Sequence, residues 1–563
     1  MNHNRKQWHI APRISPQADQ ELEQYSPIFR QVLFNRGLAT AVQAEKFLNA
    51  EPPENDITKI IGLETAIERI KFAIKNEQSI VVYGDFDADG ITSTALLVQT
   101  ITALGASVTG YIPDRFEEGY GLNIDALDEL KNKGTDLVIT VDCGIRAIME
   151  SEHAHHIGLD LIITDHHSPA SEMPQAIAVI NTKQPGDNYP EKNLAGVGIA
   201  YKLACALLKE YQPAGLNNET LLDLVAIGTI ADLVPLVGEN RTLVRYGLDL
   251  IRTIPRQGVY SLLGASGIPE HNNITASTIG FSLAPRLNAA GRIASAMEAY
   301  HLLLCDDPNE AGRLAQSLDN LNRERQQITR DIYDAAEDAA LDHDPDPLLM
   351  FAADPDYNPG VVGLAASRLT EKYYRPAIVA HTGSEYTRAS CRSIPEFHIT
   401  NALDQCAELF EHFGGHAAAA GFTVRNDRLN QVLEILYSIA QDQLGGLDLK
   451  PLMHADAEVE LNEMKPSLLN ELGQLQPTGY GNRPALFVSR DVKVRAKRAV
   501  GRDNAHLKLT LSDDHITFDA IAFRQGYWVS DLPNSIDILY EFELNEYNGR
   551  KLLQLNVKDI QIN

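Results

Sequence analysis

The sequence predicts an α/β protein: a parallel-sheet domain, a second and smaller α/β lobe joined to it by a long helix, and a carboxyl-terminal β-barrel. Three observations predict this organisation. Three short apolar strands, separated by helix-length segments, lie between residues 80 and 167, as expected of a parallel sheet. An amphipathic pattern that follows Asp307 indicates one long helix. After residue 476 the pattern changes to alternating strands.

Length and composition agree with several soluble globular domains. The chain has 563 residues, of which 44% are hydrophobic, too many residues for one domain and enough apolar side chains for large cores. No apolar run suits a signal peptide or a membrane span, so we expect a cytoplasmic protein without a membrane partner. The five cysteines are scattered without a C-x-x-C pair, which predicts reduced thiols.

We place the segments at 1–49 (helical extension), 50–255 (parallel-sheet domain), 256–345 (helical connector), 346–445 (second lobe) and 446–563 (linker and barrel).

The amino-terminal segment reads as polar helices with one hydrophobic face. Ile28, Val32, Leu33 and Phe47 form that face, which we expect to pack onto the first domain.

Three carboxylates follow the first strand of the parallel-sheet domain. Ile80 to Tyr83 is a β-branched and aromatic run, Gly84 allows a sharp turn, and helical spacing begins near Ile91. Asp85, Asp87 and Asp89 therefore crowd one connection, where they repel one another unless a cation holds them. The alternative is a solvated acidic turn that caps a helix.

Two further strands end in possible metal ligands. Asp142 follows the strand at 137–141, and Asp165, His166 and His167 follow the strand at 161–164. The carboxyl ends of parallel strands converge on one crevice, so these oxygen and imidazole ligands should meet there, and such a cluster is costly without cations.

A fourth element contributes one more acid. We expect Gly228 and Thr229 to break an apolar helix just before Asp232, so that this carboxylate points toward the crevice.

Several basic and small residues are candidates for phosphate binding. Arg115 and Tyr120 lie in a loop that could take a terminal phosphate and stack a base, or simply cover the surface. Arg286 and Asn288 lie in a segment rich in small residues, which suits either a phosphate donor or a tight packing turn.

The second lobe offers its own candidates. Ser390 and Arg392 could bind phosphate through a hydroxyl and a guanidinium group. Gly414, Gly415 and His416 are expected to open a helix whose amino end binds an anion, the alternative being a plain Gly-Gly turn.

The carboxyl-terminal strands suit a small barrel of the OB type. We predict strands at 506–511, 516–523, 536–542 and 551–557, with a hairpin turn at Asn548-Gly549. Residues 478–563 hold 12 Lys and Arg against 11 Asp and Glu, a local balance of +1 within a chain of net charge −27. The basic side chains form a stripe suited to single-strand binding: Arg490, Lys493, Arg495, Lys497, Arg498 and Arg502. The nearby aromatic residues could serve stacking or the core: Phe487, Phe518, Phe523, Tyr527 and Trp528.

An ordered set of motifs resembles the DHH phosphoesterases, and within them the single-strand-specific 5′ to 3′ DNA exonucleases. The motifs cover most of the chain: D-F-D-A-D-G at 85–90, D-H-H at 165–167, G-T-I-A-D at 228–232, A-P-R-L-N-A-A-G-R at 284–292, P-G-V-V-G at 359–363, S-C-R-S at 390–393 and F-G-G-H at 413–416. One departure is Asn358, where that family commonly carries His, which concerns a contact on the phosphate side.

The resemblance implies a DHH catalytic domain, a second DHH-family lobe that binds substrate, and an OB-fold single-strand-binding domain. It implies the following metal ligands: Asp85, Asp87, Asp89, Asp142, His166 and Asp232. His167 would lie close to the scissile phosphate. The cofactor is expected to be two Mn²⁺ ions, with Mg²⁺ as a substitute, since carboxylate and imidazole ligands favour Mn²⁺. The activity would be 5′ to 3′ hydrolysis of single-stranded DNA to mononucleotides in repair and recombination. The partners would be a single-strand-binding protein and a helicase, and the enzyme would be a monomer.

Three other functions stay open at this point. A DHH phosphodiesterase for cyclic dinucleotides or very short oligonucleotides would not need the barrel. A related inorganic pyrophosphatase would be far shorter and would lack Arg286 and the Ser390 to Arg392 element. An inactive DNA-binding scaffold would be expected to have lost metal ligands, and none is missing.

Overall fold

The computed structural model describes residues 6–115, 118–119, 121–268, 273–547 and 550–562. Tyr120 and the Asn548-Gly549 turn lie outside these residues. The chain divides into two compact units, one of residues 1–10 with 323–455 and the other of 11–322 with 456–563. Both predicted α/β sheets and the barrel are present. None of the described helices is long and apolar enough to span a membrane.

The amino-terminal segment does not pack as predicted. It begins with strand β1 (Gln7–Ile10), followed by three helices: α1 (Pro16–Glu21), α2 (Pro27–Phe34) and α3 (Ala41–Leu48). Phe29, Val32 and Leu33 are buried in one core with the barrel residues Phe487 and Ile538. The prediction that this face packs onto the first domain was wrong for Val32 and Leu33, because a hydrophobic stripe does not specify which apolar surface it will meet. Phe47, at the end of the segment, does contact that domain through Arg241.

The parallel-sheet domain contains five strands in the order β3-β2-β4-β5-β6, all parallel. The strands are β2 (Ile80–Gly84), β3 (Val108–Tyr111), β4 (Leu137–Val141), β5 (Asp160–Thr164) and β6 (Ala178–Ile180). Its helices are α4 (Leu63–Lys75), α5 (Ala88–Ala103), α6 (Ile124–Asn132), α7 (Ile148–His156), α8 (Gly196–Tyr211), α9 (Leu222–Ala231), α10 (Gly238–Thr253), α11 (Gln257–Ala265), α12 (Ala276–Thr278), α13 (Ala284–Ile293) and α14 (Met297–Leu304).

Helices cover both faces of this sheet. Ile80 and Val82 of β2 belong to the large core with α5 and α8, whereas Val81 and Tyr83 face a second core with α6 and α7. A strand that is buried on both faces needs an unbroken apolar run, which is what the sequence has there. The predicted crevice thereby lies at the carboxyl edge of a sheet that is packed on both faces.

Helix α9 is continuous, so the predicted break at Gly228 and Thr229 was wrong. A Cβ on Gly228 would lie 2.4 Å from Thr92 Oγ1 and 2.8 Å from Asp89 Oδ1. Glycine is needed there because α9 packs closely against the metal-binding turn. Asp232 is the residue that caps the carboxyl end of α9.

Helix α15 (Pro308–His343) is the predicted long helix, with 36 residues. Asp307 Oδ1 accepts hydrogen bonds from the N–H groups of Asn309 at 3.0 Å and Glu310 at 2.8 Å, as an N-cap residue does. The helix runs from one compact unit into the other.

The unit that contains the second lobe has a mixed sheet in the order β10-β11-β9-β8-β7. The strands are β7 (Met350–Asp354), β8 (Ala377–Thr382), β9 (Tyr386–Arg392), β10 (Phe410–His416) and β11 (Ala419–Arg425). The helices are α16 (Val362–Tyr373), α17 (Ile399–Asp404) and α18 (Leu429–Leu444). Strand β12 (Leu452–Ala455) pairs in parallel with β1.

Gly414, Gly415 and His416 do not open a helix. They form the end of β10, which pairs with β11 in a hairpin, and Gly415 adopts a φ of 150°. A Cβ on Gly415 would lie 2.4 Å from Ala419 O, so the close pairing of the two strands requires glycine there. The predicted anion site at a helix terminus is therefore absent from residues 414–416.

The carboxyl-terminal barrel is closed by pairing between β14 and β17. Its strands are β13 (Ala457–Glu458), β14 (Phe487–Val500), β15 (His506–Ser512), β16 (Thr517–Ala522), β17 (Ser535–Tyr547) and β18 (Arg550–Gln561), with helices α19 (Pro466–Gly473) and α20 (Trp528–Asp531). Four strands match the predicted ones. The sequence prediction missed β14 as a strand, because its exposed half carries consecutive charged residues in place of an alternating pattern.

Candidate metal centre

The three acidic strand ends meet as predicted, because β2, β4 and β5 are adjacent in the sheet. Asp85 follows β2, Asp142 follows β4, and His166 follows β5 by two residues. Asp142 has a φ of 61°, a left-handed conformation that is unusual for a residue other than glycine. Such a conformation persists where the surroundings enforce it, and functional sites are a frequent location.

The side chains form three overlapping groups of potential metal ligands. Asp85, Asp87 and Asp142 form one group, Asp89, His166 and Asp232 a second, and Asp142, His166 and His167 a third; within each group the ligand atoms lie within 4.8 Å of one another. His166 Nε2 lies 3.1 Å from Asp142 Oδ1 and 3.5 Å from Asp232 Oδ2. Because Asp142 is shared, the arrangement suits two neighbouring cations that one carboxylate bridges.

Buried polar atoms in this cluster fit metal ligation. Among the described residues, Asp85 Oδ1, Asp142 Oδ1 and His166 Nε2 are buried without a hydrogen-bond partner. Such atoms are costly in the absence of a ligand. Carboxylate oxygens and imidazole nitrogens are the donors that Mn²⁺ accepts, and the carboxylates also suit Mg²⁺.

The chain fixes Asp89 through backbone amides at the start of α8. Asp89 Oδ2 accepts from Gly196 N–H at 2.7 Å, and Oδ1 accepts from Val197 N–H at 2.8 Å. A Cβ on Gly196 would lie 2.6 Å from Asp142 Cβ, so only glycine lets α8 approach so closely. Asp87 caps α5, where its Oδ1 accepts from the N–H groups of Asp89 at 2.9 Å and Gly90 at 3.1 Å.

Asp165 follows β5 as the sequence predicted, but it belongs to none of the three ligand groups, and its role as a positioning residue was not foreseen from the sequence. Its Oδ1 lies 2.8 Å from His167 Nδ1, and its Oδ2 accepts from Ile145 N–H at 3.0 Å. An acid that fixes the ring and tautomer of a histidine is a recurrent support for metal and catalytic sites. The D-H-H order is the signal that could have found it. Lys183 Nζ also donates to His166 O at 2.6 Å, which ties the same turn to the loop after β6.

Burial makes the charged forms of the carboxyl groups in this cluster less favourable when no cation is bound. Burial and the neighbouring carboxylates raise the pKa values of Asp85, Asp89 and Asp142 well above their usual range. Burial and Asp87 raise the pKa of Asp232 to about 7. Such perturbed acids in a cleft are typical of functional sites.

The two histidines differ in their electrostatic environment. Burial and then His167 lower the pKa of His166 to about 3, so its ring is neutral, as a metal ligand must be. Burial alone would lower the pKa of His167, but the hydrogen bond with Asp165 and the surrounding carboxylates raise it. His167 is therefore the better proton carrier of the pair.

The raised carboxyl pKa values predict a pH-dependent response to metal. At pH values between the ordinary aspartate pKa and about 7, the folded, metal-free protein binds more protons than the unfolded chain does. Its free energy of unfolding should therefore fall as the pH rises through this range. Bound cations replace those protons, so a fixed Mn²⁺ concentration should raise the melting temperature more at about pH 8 than at about pH 6. Thermal scans with and without Mn²⁺ measure this difference. An equal gain at both pH values would contradict it.

The contacts of Arg115 and Asn288 indicate different roles for these two predicted substrate-binding residues. The Arg115 guanidinium lies 4.9 Å from the centre of the Phe86 ring; burial lowers its pKa, while Asp85 and Asp87 raise it. Arg115 is therefore placed beside the metal-binding carboxylates. Asn288 Oδ1 accepts from Ala88 N–H at 2.7 Å, so this side chain supports the turn between Asp87 and Asp89.

Arg286 is committed to a buried partner. Its Nη2 lies 2.8 Å from Asp319 Oδ1, and its Nη1 donates to Ser282 O at 2.6 Å. Asp319 is buried. These contacts join α13 to α15 and favour the packing function of Arg286 over a phosphate contact.

In the other unit, Ser390 and Arg392 lie on one face of β9 and approach the start of α16. A Cβ on Gly363 would lie 3.1 Å from Arg392 Nη2 and 3.3 Å from Ser390 Oγ. A hydroxyl, a guanidinium group and the amino end of a 12-residue helix together suit an anion. The sequence predicted that a helix begins at residue 414 and binds an anion at its amino end. In the structure the helix whose amino end lies near Ser390 and Arg392 is α16. Asn358 Oδ1 accepts from Gly360 N–H at 2.8 Å in the preceding turn.

Three family models match the chain. The DHH family, N-terminal domain, matches residues 79–229, the DHHA1 domain matches 346–442, and the RecJ OB domain matches 455–559.

Relatives match over nearly the whole length. The single-stranded-DNA-specific exonuclease RecJ of Bacillus subtilis is 40% identical over 95% of this chain and 68% of its own length. The RecJ of Escherichia coli is 34% identical over 95% of this chain and 96% of its own. The crystal structure of RecJ from Thermus thermophilus with Mn²⁺ has a TM-score of 0.85 at 28% identity, covering 99% of this chain and 80% of its own. The structure with Mg²⁺ from the same organism has a TM-score of 0.79 at 27% identity, covering 99% and 78%.

Proposed function

Because the chain belongs to the RecJ family of single-stranded-DNA-specific exonucleases, we propose that its metal centre hydrolyses single-stranded DNA from the 5′ end. The products are 5′-mononucleotides, and the process served is DNA repair and recombination. The observation that carries the proposal is the pair of ligand groups that share Asp142. A phosphodiesterase for short oligonucleotides or cyclic dinucleotides would need this centre but would not need the closed barrel in the carboxyl-terminal part of the chain.

The cofactor is two divalent ions, Mn²⁺ or Mg²⁺. When bound, such ions would supply a water molecule of lowered pKa and electrostatic stabilisation of the charge that develops in an in-line displacement at phosphorus. We propose that Asp85, Asp87, Asp89, Asp142, His166 and Asp232 hold them. The mixed set of imidazole and carboxylate donors favours Mn²⁺.

The protein residues orient the reacting groups around that centre. His167 is held by Asp165 and is 39% exposed, so its ring can reach a scissile phosphate and carry a proton. Arg115 stands over Phe86 beside Asp85 and Asp87, where a guanidinium group can offset phosphate charge. The predicted role of Tyr120 in stacking a base remains a proposal.

We propose that Ser390 and Arg392 bind the terminal phosphate that defines the strand end. The amino end of α16 adds backbone dipoles to their hydroxyl and guanidinium groups. Such a pocket would give the enzyme its polarity, because it would recognise one end of the strand.

The test is digestion of single strands that carry a label at the 5′ or the 3′ end, with and without Mn²⁺. Release of labelled mononucleotide from the 5′ end alone, only with metal, is expected. Release from the 3′ end first, or cleavage limited to substrates of a few nucleotides, would favour the alternative, a DHH phosphodiesterase for short oligonucleotides.

The barrel has fewer uncommitted basic side chains than its sequence indicates. Arg490 contacts Asp537 and Glu458, and Lys493 and Arg495 both contact Asp514. Phe487 and Phe518 are buried in the core, whereas Phe523 and Tyr527 are about half exposed, at 52% and 42%. The exposed side chains Arg498 and Arg502 near the end of β14 are the better candidates for phosphate contacts, since Arg502 makes only a long, fully solvated contact of 3.7 Å with Asp503.

Reversing these two charges should weaken binding of long strands in a salt-dependent manner. We expect Arg498→Glu with Arg502→Glu to flatten the plot of log K against log salt by about 0.7 for each phosphate that the variant no longer neutralises. Fluorescence anisotropy with strands of a few tens of nucleotides measures this slope. Lys493→Gln is the matched control, because Asp514 already engages that ammonium group. An unchanged slope in the double variant would show that the barrel does not bind the strand there.

The family resemblance also leads us to propose a single-strand-binding protein and a helicase as partners, and a monomeric enzyme. Co-purification and analytical ultracentrifugation test these points.

A further inference from the structure

Three exposed apolar side chains belong to segments that adjoin or pack against the carboxyl end of α9 and the residues that follow it, where the proposed metal ligand Asp232 lies. Leu233 directly follows this ligand and is 69% exposed, Tyr480 is 65% exposed, and Phe281 is 84% exposed. They come from three separate segments of the chain. Large apolar side chains are seldom so exposed together without a binding partner.

Leu233 is held in an unfavourable backbone conformation. Its φ is 59°, in the left-handed region that residues with a side chain rarely adopt. Its N–H donates to Ile230 O at 3.3 Å, which ends α9 with a tight turn. The turn keeps Asp232 at the metal centre and directs the next side chain to solvent. Strain of this kind is retained where the surrounding structure determines it.

Tyr480 lies in a loop that is fixed to the same turn. Leu236 N–H donates to Tyr480 O at 2.8 Å, and Leu236 is four residues beyond Asp232. A Cβ on Gly481 would lie 2.8 Å from Pro235 Cβ. The backbone of this loop, which leads into the barrel, is thus packed against the segment that follows the metal ligand.

The segment before this loop is clamped by a buried arginine. Arg241 of α10 donates to the carbonyl oxygens of residues 474–477 at 2.8–3.2 Å, and its guanidinium carbon lies 4.0 Å from the centre of the Phe47 ring. Asn482 Nδ2 donates to two of the same carbonyl groups at 2.9 and 2.8 Å. The backbone on both sides of Tyr480 is therefore fixed, while its ring remains in solvent.

Phe281 lies in a π-helical turn, Ile279–Leu283, between α12 and α13. A Cβ on Gly280 would lie 3.6 Å from Ile230 Cγ2, which shows how closely the turn packs on α9. Turns with this wider winding occur mostly at functional sites. It directs an aromatic side chain to solvent next to the end of α9.

We propose that Leu233, Tyr480 and Phe281 form an apolar rim that contacts the unstacked bases of a single strand as it enters the metal centre. We take the occupant to be a nucleobase because Leu233 directly follows Asp232 and the Tyr480 loop is hydrogen-bonded to Leu236, which puts both residues on the segment that leads from the proposed metal centre. Aromatic and apolar faces stack with every base and need no sequence preference. In a duplex the faces of the bases are already covered by their neighbours, so the rim selects single strands. This inference rests on the proposed function.

The test compares two 5′-phosphorylated single strands, one with all its bases and one with abasic sites along its 5′-terminal stretch. The wild-type enzyme should cleave the base-containing strand with the higher kcat/KM. Tyr480→Ala should lower kcat/KM on that strand about tenfold and leave the abasic strand almost unchanged, whereas Tyr480→Phe should retain the wild-type preference. Tyr211→Ala, which removes a partly exposed tyrosine from the end of α8, is the matched control. Because Tyr480 holds its loop through its backbone carbonyl, the melting temperature should not change.

Each outcome bears on one idea only. A wild-type enzyme that cleaves neither strand would reject the proposed nuclease function. A wild-type enzyme that cleaves both, with a Tyr480→Ala variant that keeps the wild-type ratio of the two rates or loses activity equally on both strands, would overturn the rim. An equal effect of Tyr211→Ala would overturn it as well.

Discussion

Asp142→Asn is expected to lower hydrolysis of single-stranded DNA by at least about a thousandfold, because metal-ion stabilisation of the transition state contributes several kcal/mol. Asp142 belongs to two of the three ligand groups, so its loss affects both predicted ion positions. Asparagine has the same shape and tolerates the φ of 61° at this position. The variant should therefore fold, and removal of a buried carboxylate should not lower the stability of the metal-free protein.

Single-turnover assays and Mn²⁺ titration measure the two consequences together. Affinity for single strands should stay near the wild-type value, since the barrel and the second lobe are untouched. Asp165→Asn is the graded comparison, with a loss of about 10- to 100-fold, because Asp165 positions His167 and is not itself in a ligand group. Appreciable Mn²⁺-dependent turnover by Asp142→Asn would contradict the shared-ligand assignment.

Arg392→Ala should lower kcat/KM by about 10- to 100-fold on a 5′-phosphorylated strand, because a hydrogen bond to a charged group is worth about 1.5–3 kcal/mol. The loss should shrink on a strand with a 5′-hydroxyl group, which lacks the phosphate oxygens that the guanidinium group binds. Parallel assays on the two strands measure the ratio. Ser390→Ala should act in the same direction with a smaller effect, since a neutral hydroxyl contributes less than a guanidinium group.

Arg286→Ala gives the contrasting pattern. The variant removes a guanidinium group that forms an ion pair with the buried carboxylate of Asp319, which is expected to cost several kcal/mol of stability. We expect a lower melting temperature and an equal loss on both strands. Selective loss on the phosphorylated strand, without loss of stability, would restore Arg286 as a phosphate ligand.

The sequence by itself predicted where the acidic cluster forms, because three of its members follow strands whose apolar runs are clear. Asp85, Asp142 and His166 follow β2, β4 and β5, and parallel strands have their carboxyl ends at one edge. Local pattern and a general rule of sheet geometry were enough to bring them together. The long helix α15 was equally predictable from its N-cap residue and apolar stripe.

Only the tertiary structure decided which residues are committed to packing. Gly228 looks like a helix breaker in sequence, yet it is required by the approach of α9 to Asp89. Arg286 looks like a phosphate ligand, yet it is paired with Asp319, which is 33 residues away. Gly414 and Gly415 look like the start of a helix, yet β11 pairs with them. In each case the deciding partner is distant in the chain, and local pattern carries no information about it.

The same reason explains why the proposed apolar rim was not found from the sequence. Exposure of Leu233, Tyr480 and Phe281 is a property of three segments after they have met, and a single apolar residue in a sequence predicts burial. The sequence determined which chemical groups reach the crevice, since strand ends are encoded locally. The tertiary structure decided which of the remaining side chains are free to bind substrate, since that depends on partners that only folding brings together.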